Sequence, residues 1–257
     1  MVAGVLRERI VSGELADGDA LPGVDKLVQE FAVSPPSLRE ALRILENEGL
    51  ITVRRGNVGG AVVHRPTADS AAYMFGLVLQ AERVEVADLA AAVGHLETLC
   101  ARLCAARRDR AQAVVPELRE LQSEGQRVVE DAVAFESSCQ RFHDALILLS
   151  GNRSIEMTVG ALGWLWRQQG AGWGHRVSEL REYPDPKLRK AGLAAHAAIL
   201  QAIERGDAEQ AEALTRSHLD HQGIRKVSGS EAIVRATGVW RAQPPDALGA
   251  VFPYPGS

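Results

Sequence analysis

The stretch "SPPSLREALRILENEGLITVRRGNVGGAVVHRP", residues 34–66, constrains the fold more than any other part of the chain. Ser34 is a good N-cap, and Pro35 falls at the first helical position, where a missing N–H costs little. Pro36 is tolerated for the same reason, which leaves the amide of Ser37 as the donor that Ser34 must cap. Leu38, Leu42 and Leu45 form one apolar stripe at helical spacing, and Gly49 ends the helix. The β-branched runs on either side of "RGNVGG" then read as a two-stranded hairpin, closed by Pro66. Upstream, Leu6 and Ile10 mark a brief amphipathic helix that stops at Gly13. After the turn-rich "ELADGDALPG", the segment "VDKLVQEFAV" reads as a second helix carrying Leu27, Val28 and Phe31 inward. Three short helices followed by a hairpin over residues 1–66 is the pattern of a winged helix-turn-helix.

Such a unit reads double-stranded DNA through the first turn and one face of its third helix. Ser34 and Ser37 can bond phosphate or base edges, and Arg39 is the donor best placed for a guanine fork. Arg43, one turn on, reaches phosphate. Arg54 and Arg55 flank the hairpin tip, from which a cation reaches backbone or minor groove, and Gly56 gives the tip its backbone freedom. The alternative for each arginine is a solvated charge or a pair with Glu40 or Glu46. The formal charge of −4 gives no general basic attraction, so binding must rest on local contacts and on dimerisation. The motifs "G-x-L-x-x-G-D-x-L-P" and "V-S-x-x-x-L-R-E-A-L-x-x-L-x-x-E-G-L-I", with the glycine-bearing wing, resemble the N-terminal domain of the GntR family of bacterial transcription regulators. That resemblance implies a homodimer on a palindromic operator.

From Thr67 the text changes to long helical patterns. In "DLAAAVGHLETLCARLCAARRDR", Leu89, Val93, Leu96, Cys100 and Leu103 recur at spacings of four and three. Further helices are expected at about 112–129, 131–150, 153–169, 187–205 and 208–225, with Gly206 and Asp207 as a C-cap and N-cap pair. No strand alternation appears, so residues 67–227 are expected to form an all-α antiparallel bundle and the whole chain to be mainly α. Beyond Val227 the text turns rich in Gly, Pro and Ala, and residues 228–257 read as a loosely held tail. No apolar run approaches the roughly 18 residues that cross a bilayer. The three cysteines, Cys100, Cys104 and Cys139, form no CxxC pair. These features fit a cytoplasmic protein with no membrane partner.

In "SSCQRFHDAL", Cys139 and His143 lie one helical turn apart and share a face. His196 stands on a helix whose buried face includes Ile199 and Ile203, and His218 falls one turn after Leu214. Histidines on three inward helix faces can converge in a bundle core. Imidazole suits Zn, Ni or Fe, and a thiolate suits Zn especially. Cys139 could equally be a small buried hydrophobe, with Glu136 one turn earlier as the carboxylate, and the stripe favours core packing for Cys100 and Cys104. The landmarks "HLETLCARLCAA", "RFHDALILLSGN", "AHAAILQAIERGD" and "AEALTRSHLDHQ" resemble the FCD ligand-binding domain of the FadR subfamily. The resemblance implies a divalent metal on His143, His196 and His218, with Cys139 at the position of an acidic ligand, and a small carboxylate effector. Arg102, Arg141, Arg167 and Trp164 or Trp166 are candidates to shape its pocket. A metal-sensing repressor would use the same residues. A metal enzyme with a DNA-binding appendage would need a general base and a signature such as HExxH, and neither is present, so the reading is a regulator and not an enzyme.

Overall fold

The computed structural model describes residues 1–54, 60–66, 68–180, 185–222 and 232–236, with backbone only at 54, 68–69, 170–180 and 221–222. They fall into two compact units, within Met1–Ser70 and Ala71–Gly238, dividing in the first turn of a helix rather than at Pro66.

The first unit holds α1 (Val2–Ser12), α2 (Val24–Phe31), α3 (Pro35–Asn47), β1 (Ile51–Arg54) and β2 (Gly60–Val63). α1 stops where Gly13 takes a left-handed φ of 86°, a conformation that glycine adopts without a Cβ clash. Ser34 caps α3 as its sequence demands, accepting from the Ser37 amide at 3.4 Å. Leu38, Leu42 and Leu45 are buried together with Leu6, Ile10, Leu27 and Ile51 in one core. Val28 and Phe31 of α2 pack at its edge rather than inside. The strands pair antiparallel, Ile51 opposite Val63 and Arg54 opposite Gly60. Arg55 and Gly56 lie outside the described residues, as does the side chain of Arg54.

The second unit is a bundle of helices. α4 (Ala68–Ala81), α5 (Val86–Ala106), a one-turn α6 (Arg110–Ala113), α7 (Val115–Arg127), α8 (Ala132–Leu148), α9 (Arg153–Leu180), α10 (Pro186–Arg205) and α11 (Ala208–Gln222) follow in order. Side chains set the ends: Asp131 caps α8, Asp185 caps α10 with Pro186 behind it, and Asp207 accepts from the Gln210 amide at 3.0 Å after Gly206 closes α10. α5 packs against α8, α9, α10 and α11. Its buried face is therefore wider than one stripe: Glu97, Thr98, Cys104 and Ala105 are inside, while Leu96 and Leu103 are only partly buried. Among the described helices α5 alone is long and apolar enough to cross a membrane, with a mean hydropathy of 1.3, but half of that window is buried in the bundle.

Two expectations change. α9 runs to Leu180 instead of ending near 169; Gly170, Gly172 and Gly174 each disfavour a helix by only about 1 kcal/mol and keep their N–H donors, so they do not end it. Residues 232–236 are held to the bundle rather than loose: Ala232 and Val234 exchange backbone hydrogen bonds with Val86 and Val84 at 2.8 and 2.9 Å. Val234 is fully buried with Leu89, Val93 and Leu165, and Gln169 bonds the backbone of Arg235. Replacing Val234 by Ala should destabilise this unit by about 1–2 kcal/mol, the burial of the lost methyls. Urea unfolding measures it, and an unchanged midpoint would mean that this segment contributes no packing.

Candidate functional site

His143 of α8, His196 of α10 and His218 of α11 meet in the interior of the second unit, each at least nine-tenths buried. Their positions follow from the helix stripes: Phe142 and Leu146 bury the same side of α8, and Ile199 and Ile203 continue the inner face of α10 below His196. The three Nε2 atoms stand 3.0 Å (His196–His218), 3.3 Å (His196–His143) and 3.4 Å (His218–His143) apart. Phe142 stacks on His196 with ring centres 4.2 Å apart and fixes its plane.

Glu97, buried on α5, bonds Nδ1 of His143. A carboxylate there selects the tautomer with the proton on Nδ1 and leaves the Nε2 lone pair free toward the other two rings. Burial, the largest influence on His143, lowers its pKa, but the charge and hydrogen bond of Glu97 outweigh it and the net direction is up. His196 is held well below the usual imidazole range, first by burial and then by His143 and His218. It is therefore neutral and able to ligate.

Three neighbouring nitrogens have only two roles, donor or acceptor, so at least one pair must present like groups to each other. A cation accepting all three lone pairs removes that conflict. Ligands at 2.0–2.1 Å from an ion lie about 2.9 Å apart in octahedral and about 3.4 Å in tetrahedral geometry, and the observed separations span that interval. The residues thus fit a divalent metal. Among the described residues, the group of donor atoms lying within 4.8 Å of one another comprises these three histidines.

Cys139 is not in that group. It packs with Phe135 and Leu193, and burial pushes its thiol up to about 12, which keeps it protonated. Of the two readings open for Cys139, its packing accords with the small buried hydrophobe. Glu136 is exposed. Cys100 and Cys104 are fully buried, their thiols likewise pushed up to about 12 by burial. Of the expected effector residues, half-buried Arg102 pairs with Glu212 at 3.1 Å in a groove that Arg216 and Asp220 also line, and exposed Arg141 pairs with Glu124. Arg167 is more protected and binds Asp144, the residue after His143, at 3.1 Å. Trp164, one turn before Arg167, packs against the Leu89 and Leu165 cluster with its Nε1 buried and unpartnered. Glu97 was missed by the stripe reading, although a lone acid at position four between Val93 and Ala101 signals a buried partner.

On α3 of the first unit, Arg39 and Arg43 are exposed one turn apart. Among the described residues neither forms an ion pair, whereas Arg7 and Arg9 are bound by Glu48 and Glu30 at 2.8 Å. Glu46 accepts from the Val53 amide at 3.0 Å instead, tying α3 to the wing. Ser34 and Ser37 share a hydrogen bond of 2.9 Å at the start of the same helix.

Replacing Glu97 by Gln should weaken affinity for an added divalent ion about 10- to 100-fold, as loss of an orienting carboxylate does. Competition with a chelating indicator measures it, and an unchanged affinity would remove Glu97 from the site.

Comparison with known proteins agrees with this geometry. Residues 1–62 match "Bacterial regulatory proteins, gntR family", and residues 88–221 match "FCD domain". The HTH-type transcriptional repressor NanR of Edwardsiella tarda (strain FL6-60) is 28% identical over 229 residues, covering 86% of this chain and 82% of that protein. The Uxu operon transcriptional regulator of Escherichia coli (strain K12) is 29% identical over 230 residues, covering 86% and 83%. The solved structure of Streptococcus agalactiae GntR, 21% identical, shares the fold with a TM-score of 0.60 over 88% of this chain and 98% of its own. The chain belongs to the GntR family of bacterial regulatory proteins, in the FadR-like subfamily with a C-terminal FCD domain, and is a transcription regulator rather than an enzyme.

Proposed function

We propose that the protein is a cytoplasmic, homodimeric repressor whose grip on a palindromic operator is controlled by a small carboxylate metabolite bound in a metal-containing helical domain. The observation that carries the reading is the buried cluster of His143, His196 and His218, built into a family whose curated relatives include repressors. A divalent ion, with Zn the best match and Ni or Fe alternatives, would supply an open coordination position for an acid oxygen. The protein's own residues set the rest. Glu97 orients His143, Phe142 holds the plane of His196, Arg167 offers a cation beside Asp144, and Trp164, one turn earlier on α9, offers a buried N–H donor. Effector binding shifts the balance between conformations with different affinity for DNA. The apolar residues Met74, Phe75 and Val78, exposed on α4, support self-association.

In the DNA-binding unit, Arg39 reads a guanine and Arg43 a phosphate, with Ser34 and Ser37 beside them and Arg54, Arg55 and Gly56 at the wing. Gel shifts with fragments upstream of the protein's own gene test this. The wild type should shift one fragment at low salt. Arg39→Ala should lose about 1–3 kcal/mol of affinity for it, and Arg43→Ala should reduce the salt dependence by about one ion. Binding to no upstream fragment would sink the proposal, and a response of the operator to Zn alone would make the ion itself the signal.

A further inference from the structure

A second buried group stands on the inner face of α10, and the roles above do not use it. Arg189, Leu193 and His196 are all buried and recur at spacings of four and three, so they share one stripe. Arg189 is only 6% exposed, and among the described residues its Nε and Nη1 are buried with no hydrogen-bond partner. Glu130 is the acid whose carboxyl feels Arg189, as the smallest of several influences led by its bond to Lys190. It is already taken by Lys190 at 2.9 Å and stands largely in solvent. A guanidinium keeps its charge at any physiological pH, so deprotonation cannot relieve its burial. What relieves it is an anion that supplies both charge and acceptors, and the guanidinium fork matches carboxylate or phosphate oxygens.

Seven residues of helix set Arg189 about 10 Å along the axis from His196. Leu193 lies between them, packed with Phe135 and Cys139. The stripe thus carries a cation at one end, the histidine cluster at the other and apolar side chains in the middle.

We infer that Arg189 is an anion-binding residue that holds the far acidic group of an effector whose near acidic group lies at the histidine cluster. The inference rests on the effector reading above and narrows it to two-ended acids with an apolar middle. Cys139 then lines the apolar span instead of ligating.

Thermal melting of the full-length, Zn-loaded protein with succinate, adipate, suberate, acetate and inorganic phosphate tests it, alongside Zn titration. The wild type should gain melting temperature with the longer dicarboxylates and less with acetate. Arg189→Met should melt at or above the wild type without ligand, because it removes an unpaired buried charge. It should also bind the dicarboxylates at least tenfold more weakly while keeping wild-type Zn affinity. Arg189→Lys, which keeps the charge and loses the fork, should lose most of that affinity as well. An Arg189→Met protein that melts lower than the wild type yet binds the dicarboxylates equally would make Arg189 structural and overturn the inference. A response to phosphate alone, or to none of the probes, overturns the two-ended ligand. Failure of the wild type to bind Zn is a separate result and counts against the histidine reading.

Discussion

Three imidazole nitrogens held 3.0 to 3.4 Å apart in a bundle interior form an arrangement that hydrogen bonding among themselves cannot satisfy. Two of the three must repel, and burial keeps water from diluting that repulsion. Two of the rings are fixed from behind, His143 by Glu97 and His196 by Phe142, on helices anchored by an apolar core of Leu118, Leu146, Ile199 and Ile203. The bundle therefore holds a geometry suited to a cation. α5 is the element on which this depends most, since it packs against all three histidine-bearing helices and brings Glu97 to His143.

The DNA-binding unit solves a different electrostatic problem. Its sequence supplies about as many acids as bases, so an unselective positive surface is out of reach. The structure instead sorts its cations. Arg7 and Arg9 are neutralised by Glu48 and Glu30, and Glu46 is occupied by the wing backbone. Arg39 and Arg43 remain exposed on α3. Local placement, not net charge, gives the exposed face of α3 its character.

Much of this was legible in the residues. The Ser34 cap, the Leu38–Leu42–Leu45 stripe, the Gly13 and Gly206 stops and the hairpin are local signals, and each appears where local chemistry requires it. The three histidines were legible because each sits in phase with apolar neighbours on its own helix. What escaped depends on packing from more than one side. A single stripe on α5 could not show that Glu97 is buried, because that helix has neighbours nearly all round. Composition made residues 232–236 look unattached, while their hydrogen bonds go to Val84 and Val86, far away in sequence. Cys139 shares a face with His143 by spacing, yet the fine rotation of α8 turns it toward Phe135 and Leu193.

The central claim is that His143, His196 and His218, without Cys139, form the ligand set of a metal centre. Metal analysis of the purified protein by mass spectrometry, comparing the wild type with Cys139→Ala and His218→Ala, tests it most directly. The expected result is about one divalent ion per chain in the wild type and in Cys139→Ala, and loss of the ion in His218→Ala. Metal lost from Cys139→Ala, or retained undiminished by His218→Ala, would contradict it.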